Sequence, residues 1–111
     1  MSKMSLIDRN RLKELRQEIG EEDFHDVAAV FLEEISETLD ALSANPGLAR
    51  AEDFHGLRGS ALNLGFSAFA EACFAAETMI DAGRRPDLVR LDWLYLESLA
   101  AFGPDLPSLA A

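Results

Sequence analysis

The sequence predicts an all-α fold, an antiparallel up-down four-helix bundle with an additional short N-terminal helix. Apolar residues recur at spacings of three and four along five segments. No segment has the alternating pattern that is typical of strands. Breaks of a few residues containing glycine or proline separate the segments, and such short connections favour antiparallel neighbours.

Two helices are predicted before the first strong break. A short one begins after Asp8, a residue suited to N-capping, and stops at Gly20. The next opens at Glu21, where acids suit the helix dipole, and ends at the breaker 45–47. Because the first helix is short, we expect it to pack across one end of the bundle. The predicted buried residues are Leu12, Leu15 and Ile19 in the first helix and Phe24, Val27, Phe31, Ile35, Leu39 and Leu42 in the second.

Three further helices are predicted after this break. The third starts at residue 48 or 49 and ends at Gly65, which can adopt the left-handed cap conformation. Ser67 is expected to cap the fourth helix, which ends at Gly83. Pro86 suits the first turn of the fifth, which ends near Phe102. The predicted buried stripes are Phe54, Leu57, Ala61 and Leu64 in the third helix, Phe69, Ala72 or Cys73, Ala76 and Ile80 in the fourth, and Leu88, Leu91, Tyr95, Leu99 and Phe102 in the fifth.

Length and composition favour one soluble domain. With 111 residues, 49% of them hydrophobic, the chain suits a single core over residues 1–111. We expect an ordered core over about residues 6–102 and a frayed tail over 103–111. No apolar run is long enough to span a bilayer, and the N-terminus lacks the pattern of a secretory signal, so a cytoplasmic location is expected.

Charge and ligand residues exclude several function classes. A net charge of −10 argues against nucleic-acid binding, which needs clustered cations. The two histidines, His25 and His55, have no spacing typical of a metal site, so no metal is expected. His25 lies among acids and is interpreted as a solvated surface residue. The single cysteine, Cys73, is expected to be a buried core residue.

The third helix presents a histidine on its polar side. His55 lies away from the apolar stripe, and Arg58 and Gly59 follow at the spacings where helical side chains become neighbours. A neutral imidazole can attack phosphorus, and an arginine fork matches phosphate oxygens. Gly59 costs about 1 kcal/mol of helix stability relative to alanine, a cost explained if a partner needs room beside the imidazole. The combination of His55, Arg58 and Gly59 therefore indicates phosphoryl-transfer chemistry.

The order His-x-Leu-Arg-Gly-Ser over 55–60, followed by Asn63-Leu64-Gly65, resembles the signature of histidine-containing phosphotransfer domains, the HPt family. The stretches 15–20, 22–34 and 73–77 are similar to the family's pattern in order and spacing, so the resemblance covers about residues 6–102. Two positions depart from it. The family more often has lysine where this chain has Arg58, and a small residue where this chain has Phe54.

The resemblance implies a phosphorelay intermediate. His55 would accept a phosphoryl group from the phosphoaspartate of a response-regulator receiver domain and pass it to the aspartate of another. The upstream partner would be a hybrid or other histidine kinase. The sequence has no nucleotide-binding signature, so the chain is expected to be a carrier without autokinase activity. No cofactor is expected on this chain, and the resemblance places Mg²⁺ on the receiver. We expect a monomer.

A docking surface is predicted around the imidazole. Leu62 lies close to His55 in rotation about the helix axis, so a large apolar side chain is expected on the reactive face unless a neighbouring helix covers it. Together with Gly59 and Ala51 it would form a shallow apolar ring, with Phe31 or Ala28 from the second predicted helix as a further member of this docking surface. Any phenylalanine exposed near the motif would belong to the same patch.

Two other functions stay open at the level of sequence. The chain could be a helical module that binds a receiver or kinase as inhibitor or scaffold, with His55 never phosphorylated. It could also be a helical adaptor unrelated to signalling, which would leave His55, Arg58 and Gly59 unexplained. Phosphotransfer separates the first function from the second, and receiver binding separates both from the third.

Overall fold

The computed structural model describes residues 6–103, which form four helices and one 3₁₀ turn. The helices are α1 (Arg9–Ala44), α2 (Ala51–Asn63), α3 (Ser67–Asp81) and α4 (Leu88–Phe102), and the turn is Pro46–Leu48. No strand occurs within these residues, so the predicted all-α class is confirmed. The expected frayed tail falls on residues 104–111 outside the described range, apart from Gly103.

The expected separate N-terminal helix is not found as an element of its own. Residues 9–44 form one helical run that is interrupted at Gly20, whose φ of 83° and ψ of 156° are not helical. This backbone conformation is essentially restricted to glycine. Because the break is a single residue and no loop follows, the two predicted helices are joined by a kink. Asp8 caps α1 as predicted, since its carboxylate accepts a hydrogen bond from the Arg11 N–H at 3.1 Å.

The start of α2 differs from the prediction because of the turn before it. Pro46–Leu48 is wound as a 3₁₀ turn, so the α-helix begins at Ala51 instead of residue 48 or 49. Asp53 stabilises this start, since its carboxylate accepts a hydrogen bond from the Arg50 N–H at 2.9 Å. The helix ends as predicted before Gly65, which has a φ of +73°.

The starts of α3 and α4 also shift by one or two residues. Ser67 is the first residue of α3, and the cap position is held by Phe66, which makes no side-chain cap hydrogen bond. Pro86 lies before α4, whose cap is Asp87, and the Asp87 carboxylate accepts a hydrogen bond from the Arg90 N–H at 3.0 Å. Ser67 and Pro86 therefore mark the starts of α3 and α4, respectively, while the neighbouring residues Phe66 and Asp87 hold the cap positions.

The core is built around aromatic rings from all four helices and the α2–α3 connection. The Phe66 and Phe102 rings meet edge to face with centroids 5.4 Å apart, and Tyr95 contacts both Phe66 and Phe69. Burial raises the pKa of the Tyr95 hydroxyl, which hydrogen-bonds Ser36 and the Leu32 carbonyl. The fully buried large side chains are Phe24, Phe54, Phe66, Phe69, Phe102, Leu32, Ile35 and Leu64.

The helix packing places α2 between two neighbours. It packs most extensively against α3 and also against α1, while α4 packs against α3 and α1. The apolar face of α2 is thereby used for the bundle, and the side chain of His55, on the opposite face, is 71% exposed. No helix within residues 6–103 has the length and apolar character needed to cross a membrane.

Candidate functional site

His55 lies in the middle of α2, on the face opposite the core. Its neighbours Phe54 and Leu57 are buried, whereas the His55 side chain is 71% exposed. The 3.6-residue period of the helix produces this division, because the buried stripe leaves the positions next to it in sequence on the solvent side. The predicted stripe of Phe54, Leu57, Ala61 and Leu64 is confirmed, since all four are buried.

A carboxylate that the sequence analysis missed faces the imidazole. Glu77 on α3 places its Oε1 atom 3.7 Å from His55 Nδ1. This distance is within ion-pair range but is longer than a hydrogen bond. The Glu77 oxygen is itself buried and has no hydrogen-bond partner among the described residues. An unsatisfied buried carboxylate oxygen is unfavourable, so a small movement of the exposed imidazole ring that brings an N–H to it would be stabilising.

Arg58 contacts a ring rather than a carboxylate. Its Cζ atom lies over the Phe74 ring of α3, 4.8 Å from the ring centroid. Within residues 6–103 no carboxylate lies at ion-pair distance from this guanidinium. Phe74 is 47% exposed, so the pair lies at the surface of the α2–α3 contact. The positive charge next to His55 is therefore not neutralised by a neighbouring acid.

One helix register produces both contacts. His55 faces Glu77, and three residues later on α2 Arg58 faces Phe74, which is three residues earlier on α3. Antiparallel helices pair in this way, since residues three apart lie on one face of each helix. The four side chains form one surface group, which we call the histidine face: His55, Arg58, Phe74 and Glu77.

Gly59 leaves open space beside the histidine face. A Cβ atom built on Gly59 meets no atom within 4 Å outside its own helix backbone and chain neighbours, and the same holds for Gly56. The absence of a side chain at Gly59 is thus not required by packing among residues 6–103. Helical glycine is destabilising relative to alanine, so Gly59 lowers helix stability without relieving a close contact in this part of the chain.

The four predicted docking residues have different surroundings. Leu62 is 48% exposed, which agrees with its expected place on the reactive face, and Ala51 is partly exposed. Phe31 is partly buried against the core. Ala28 is fully buried, so the prediction that it lines the docking surface is wrong. Its side chain is small and its position on α1 faces the bundle, where it packs among the larger core residues.

The remaining motif residues stabilise the end of α2. Asn63 donates a hydrogen bond to the Gly59 carbonyl at 3.0 Å and accepts one from Arg11 at 3.4 Å. Ser60 donates a hydrogen bond to the Glu34 carboxylate on α1 at 3.4 Å. Gly65 is crowded: a Cβ atom there would lie 2.7 Å from the Asp8 carbonyl oxygen. These residues connect α2 to α1 and to the start of the described chain.

Metal ligands are not clustered in the described part of the chain. No group of three or more histidine, cysteine, aspartate or glutamate side chains is arranged to hold an ion within residues 6–103. Cys73 is buried on α3, as predicted, and burial raises the pKa of its thiol to about 12. A thiol in this environment stays protonated and is a poor nucleophile.

Comparison with known families matches residues 26–101 to the Hpt domain. No curated protein and no solved structure matches the chain significantly. Hpt domains are histidine phosphotransfer carriers of phosphorelays, not kinases, and they interact with receiver domains and histidine kinases. The matched range contains α2, α3 and nearly all of α4 and covers more than half of the sequence. The chain therefore belongs to the Hpt domain family.

Proposed function

We propose that this chain carries a phosphoryl group on His55, accepting it from the phosphoaspartate of one receiver domain and passing it to the aspartate of another. One observation carries the proposal. The exposed imidazole of His55 lies one helical turn from a guanidinium that no described carboxylate neutralises. The opposite face of the same helix builds the core, so the helix backbone holds both groups in place.

In the proposed step the Nε2 lone pair of neutral His55 attacks phosphorus. The new N–P bond forms as the P–O bond of the acyl phosphate breaks, and the receiver aspartate leaves as a carboxylate. The proton on Nδ1 stays on the ring, which becomes cationic. Glu77 lies 3.7 Å from Nδ1, so its carboxylate offsets the new ring charge and favours the tautomer whose Nε2 is free.

The return step reverses these changes on a second receiver. A carboxylate oxygen of its aspartate attacks phosphorus, the N–P bond breaks, and the electron pair returns to Nε2. The imidazole is left neutral with its Nδ1 proton in place. No proton has to be exchanged with solvent in either direction, which suits a carrier that works between two similar partners.

Arg58 and Gly59 have separate roles in the proposal. The Arg58 guanidinium offers N–H donors to the phosphoryl oxygens and stabilises the negative charge that His55 gains. Gly59 has open space around it, so the surface of a receiver can approach the imidazole closely. Leu62 and Ala51, both on the exposed side of α2, would contact that receiver, and Phe31 would contribute the exposed part of its ring.

The cation that phosphoryl transfer needs would come from the partner. We expect Mg²⁺ to be held by the receiver and no cofactor by this chain. We further propose that the chain acts as a cytoplasmic monomer, with hybrid or other histidine kinases supplying phosphate through their receivers.

The proposal is tested by mixing the chain with a phosphorylated receiver. We expect an acid-labile, base-stable phosphoprotein that is lost in His55→Gln. The chain has two histidines, so His25→Gln is a matched control that should accept phosphate at the normal rate. Circular dichroism should show unchanged helicity in both variants. Phosphate retained in His55→Gln would contradict the assignment, and receiver binding without transfer would favour the inhibitor or scaffold function.

A further inference from the structure

We propose that Phe74 is a positioning residue for Arg58, which holds the guanidinium beside His55 while leaving its N–H donors free for a phosphoryl group. The inference rests on the carrier function proposed above. It assigns a role to an aromatic side chain that the core does not require. The Cζ atom of Arg58 lies 4.8 Å from the centroid of the Phe74 ring.

The exposure of Phe74 sets it apart from the core phenylalanines. It is 47% exposed, whereas the other phenylalanines of α3 and its neighbours are buried. The preceding residue, Cys73, is fully buried. This fixes the rotation of α3 about its own axis, so Phe74 lies at the edge of the buried face. The Phe74 ring is therefore free to contact a side chain outside the core, and the side chain it contacts is the guanidinium of Arg58.

The charge of the chain makes a neutral partner valuable for Arg58. Acids outnumber bases by twenty to ten, and long flexible arginines on such a surface readily pair with carboxylates. Arg11 lies 3.4 Å from Glu18, and Arg50 lies 2.7 Å from Glu52. A carboxylate would occupy the N–H donors of Arg58 and neutralise its charge. An aromatic ring attracts the cation without offering an oxygen acceptor.

The register of α2 and α3 directs Glu77 towards His55 and not towards Arg58. Glu77 lies one helical turn from Phe74 on the same face of α3, and it faces His55 instead. Each pair therefore has a suitable chemistry. The carboxylate of Glu77 faces the imidazole of His55, which becomes cationic when phosphorylated. The Phe74 ring contacts Arg58, whose N–H donors must stay available to an anion.

The contact is also weak enough to yield when phosphate arrives. An exposed cation–π pair changes an equilibrium by a factor of about two to five, whereas a charge-assisted contact with phosphate is stronger. Arg58 can thus turn towards the phosphoryl oxygens without losing much. Before phosphate arrives, the Phe74 ring limits the positions that the Arg58 guanidinium can take. The contact should therefore give a modest gain in transfer rate and in phosphohistidine lifetime.

The test compares four substitutions at one position. Phe74→Leu keeps apolar bulk and should slow transfer, or shorten the phosphohistidine half-life, by about two- to fivefold. Phe74→Tyr keeps the ring and should behave as the wild type. Phe74→Glu should pair with Arg58 and approach the defect of Arg58→Ala. Phe74→Gln, similar in shape but uncharged, should be clearly less impaired than Phe74→Glu. Circular dichroism confirms folding of each variant.

A double-mutant comparison separates positioning from docking. In an Arg58→Ala background, Phe74→Leu should have no further effect, because no guanidinium remains to be positioned. An equal effect of Phe74→Leu in both backgrounds would overturn the inference and assign Phe74 to the receiver contact. Wild-type kinetics in both Phe74→Leu and Phe74→Glu would also overturn it while leaving His55 as the phosphate carrier.

A measurement without phosphate tests the contact itself. Ring currents should shift the side-chain proton resonances of Arg58 upfield in the wild type and in Phe74→Tyr, and Phe74→Leu should remove the shift. Arg58→Lys assigns the resonances. Unshifted Arg58 protons in the wild type would contradict the inference regardless of phosphotransfer. Absence of phosphate on His55 would instead refute the carrier function on which the proposed role depends.

Discussion

Gly59 and Gly65 lie six residues apart in one motif, yet their surroundings are opposite. At Gly59 a side chain would enter open space, whereas at Gly65 it would meet the Asp8 carbonyl oxygen at 2.7 Å. Gly65 also has a φ of +73°, which few other residues adopt, while Gly59 is helical. The comparison teaches that the motif contains two kinds of residue. Those at the end of α2 serve the fold, and those around His55 would serve an external partner under the proposed function.

The largest expected effect on stability comes from Gly65→Ala. The left-handed backbone costs about 1–3 kcal/mol for a residue other than glycine, and the contact with Asp8 adds to it. We expect the free energy of unfolding, measured in urea, to fall by at least that amount. The transfer rate per folded molecule should be retained. Unchanged stability would remove the distinction between the two glycines.

Gly59→Leu should raise the stability of the chain and slow transfer, whereas Gly65→Ala should lower stability and retain the transfer rate. Leucine favours the helix by nearly 1 kcal/mol relative to glycine, and a Cβ atom at this position meets no atom within 4 Å among the described residues, so stability should rise. The receiver can no longer approach the imidazole closely, and each 1.4 kcal/mol of lost docking energy slows transfer about tenfold. Gly59→Ala is the matched smaller change. Unchanged transfer in both variants would show that receivers approach His55 from another side.

Arg58→Ala sharpens the functional half of the comparison. Loss of the guanidinium should slow transfer or shorten the phosphohistidine lifetime by about tenfold, which corresponds to one charge-assisted contact. Neither should be abolished, since His55 remains the nucleophile. Stability should change by less than 1 kcal/mol, as for other surface positions. Arg58→Lys, which keeps the charge, should have a transfer rate and a phosphohistidine lifetime between those of the wild type and Arg58→Ala. Complete loss of phosphorylation in Arg58→Ala would mean that the arginine has a larger role than charge stabilisation.

An effect that is absent at neutral pH and develops only in alkaline solution concerns the interior side of α3. Burial raises the pKa of Cys73 from 9.0 to about 12, so in the folded chain the thiol stays protonated after the unfolded chain has ionised. The unfolded state gains this ionisation as pH rises, and the free energy of unfolding should therefore fall between pH 9.0 and about 12. Tyr95, whose pKa is also raised by burial, contributes with the same sign. Cys73→Ala should flatten the decline.

A labelling experiment checks the same burial at neutral pH. Thiol reagents should modify Cys73 only as fast as the chain unfolds. Rapid labelling of the folded chain would contradict the assignment of this residue to the core.

The helices and the exposure of His55 could be predicted because they depend on local periodicity. The α2 stripe was predicted correctly, since Phe54 and Leu64 are large enough to give a clear signal. Ala28 was placed on the wrong side of α1 for the opposite reason. An alanine carries a weak hydrophobic signal, and the predicted stripe through Val27 and Phe31, which are only partly buried, lies one residue away from the fully buried Ala28 and Leu32.

The partners of His55 and Arg58 could not be predicted in the same way. Glu77 and Phe74 reach them through the register of α2 against α3, which is a tertiary property. The similarity of 73–77 to the family's pattern marked this stretch as relevant without indicating which residue faces which. Five residues of one helix offer several possible contacts, and packing selects among them.

The most direct test of the account is to determine which atom carries phosphorus. Nuclear magnetic resonance of the chain phosphorylated by a receiver distinguishes the two ring nitrogens of histidine. Because Glu77 faces Nδ1 of His55, we predict a single phosphohistidine with phosphorus on Nε2 of His55. Phosphorus on Nδ1, on His25 or on a carboxylate would contradict it.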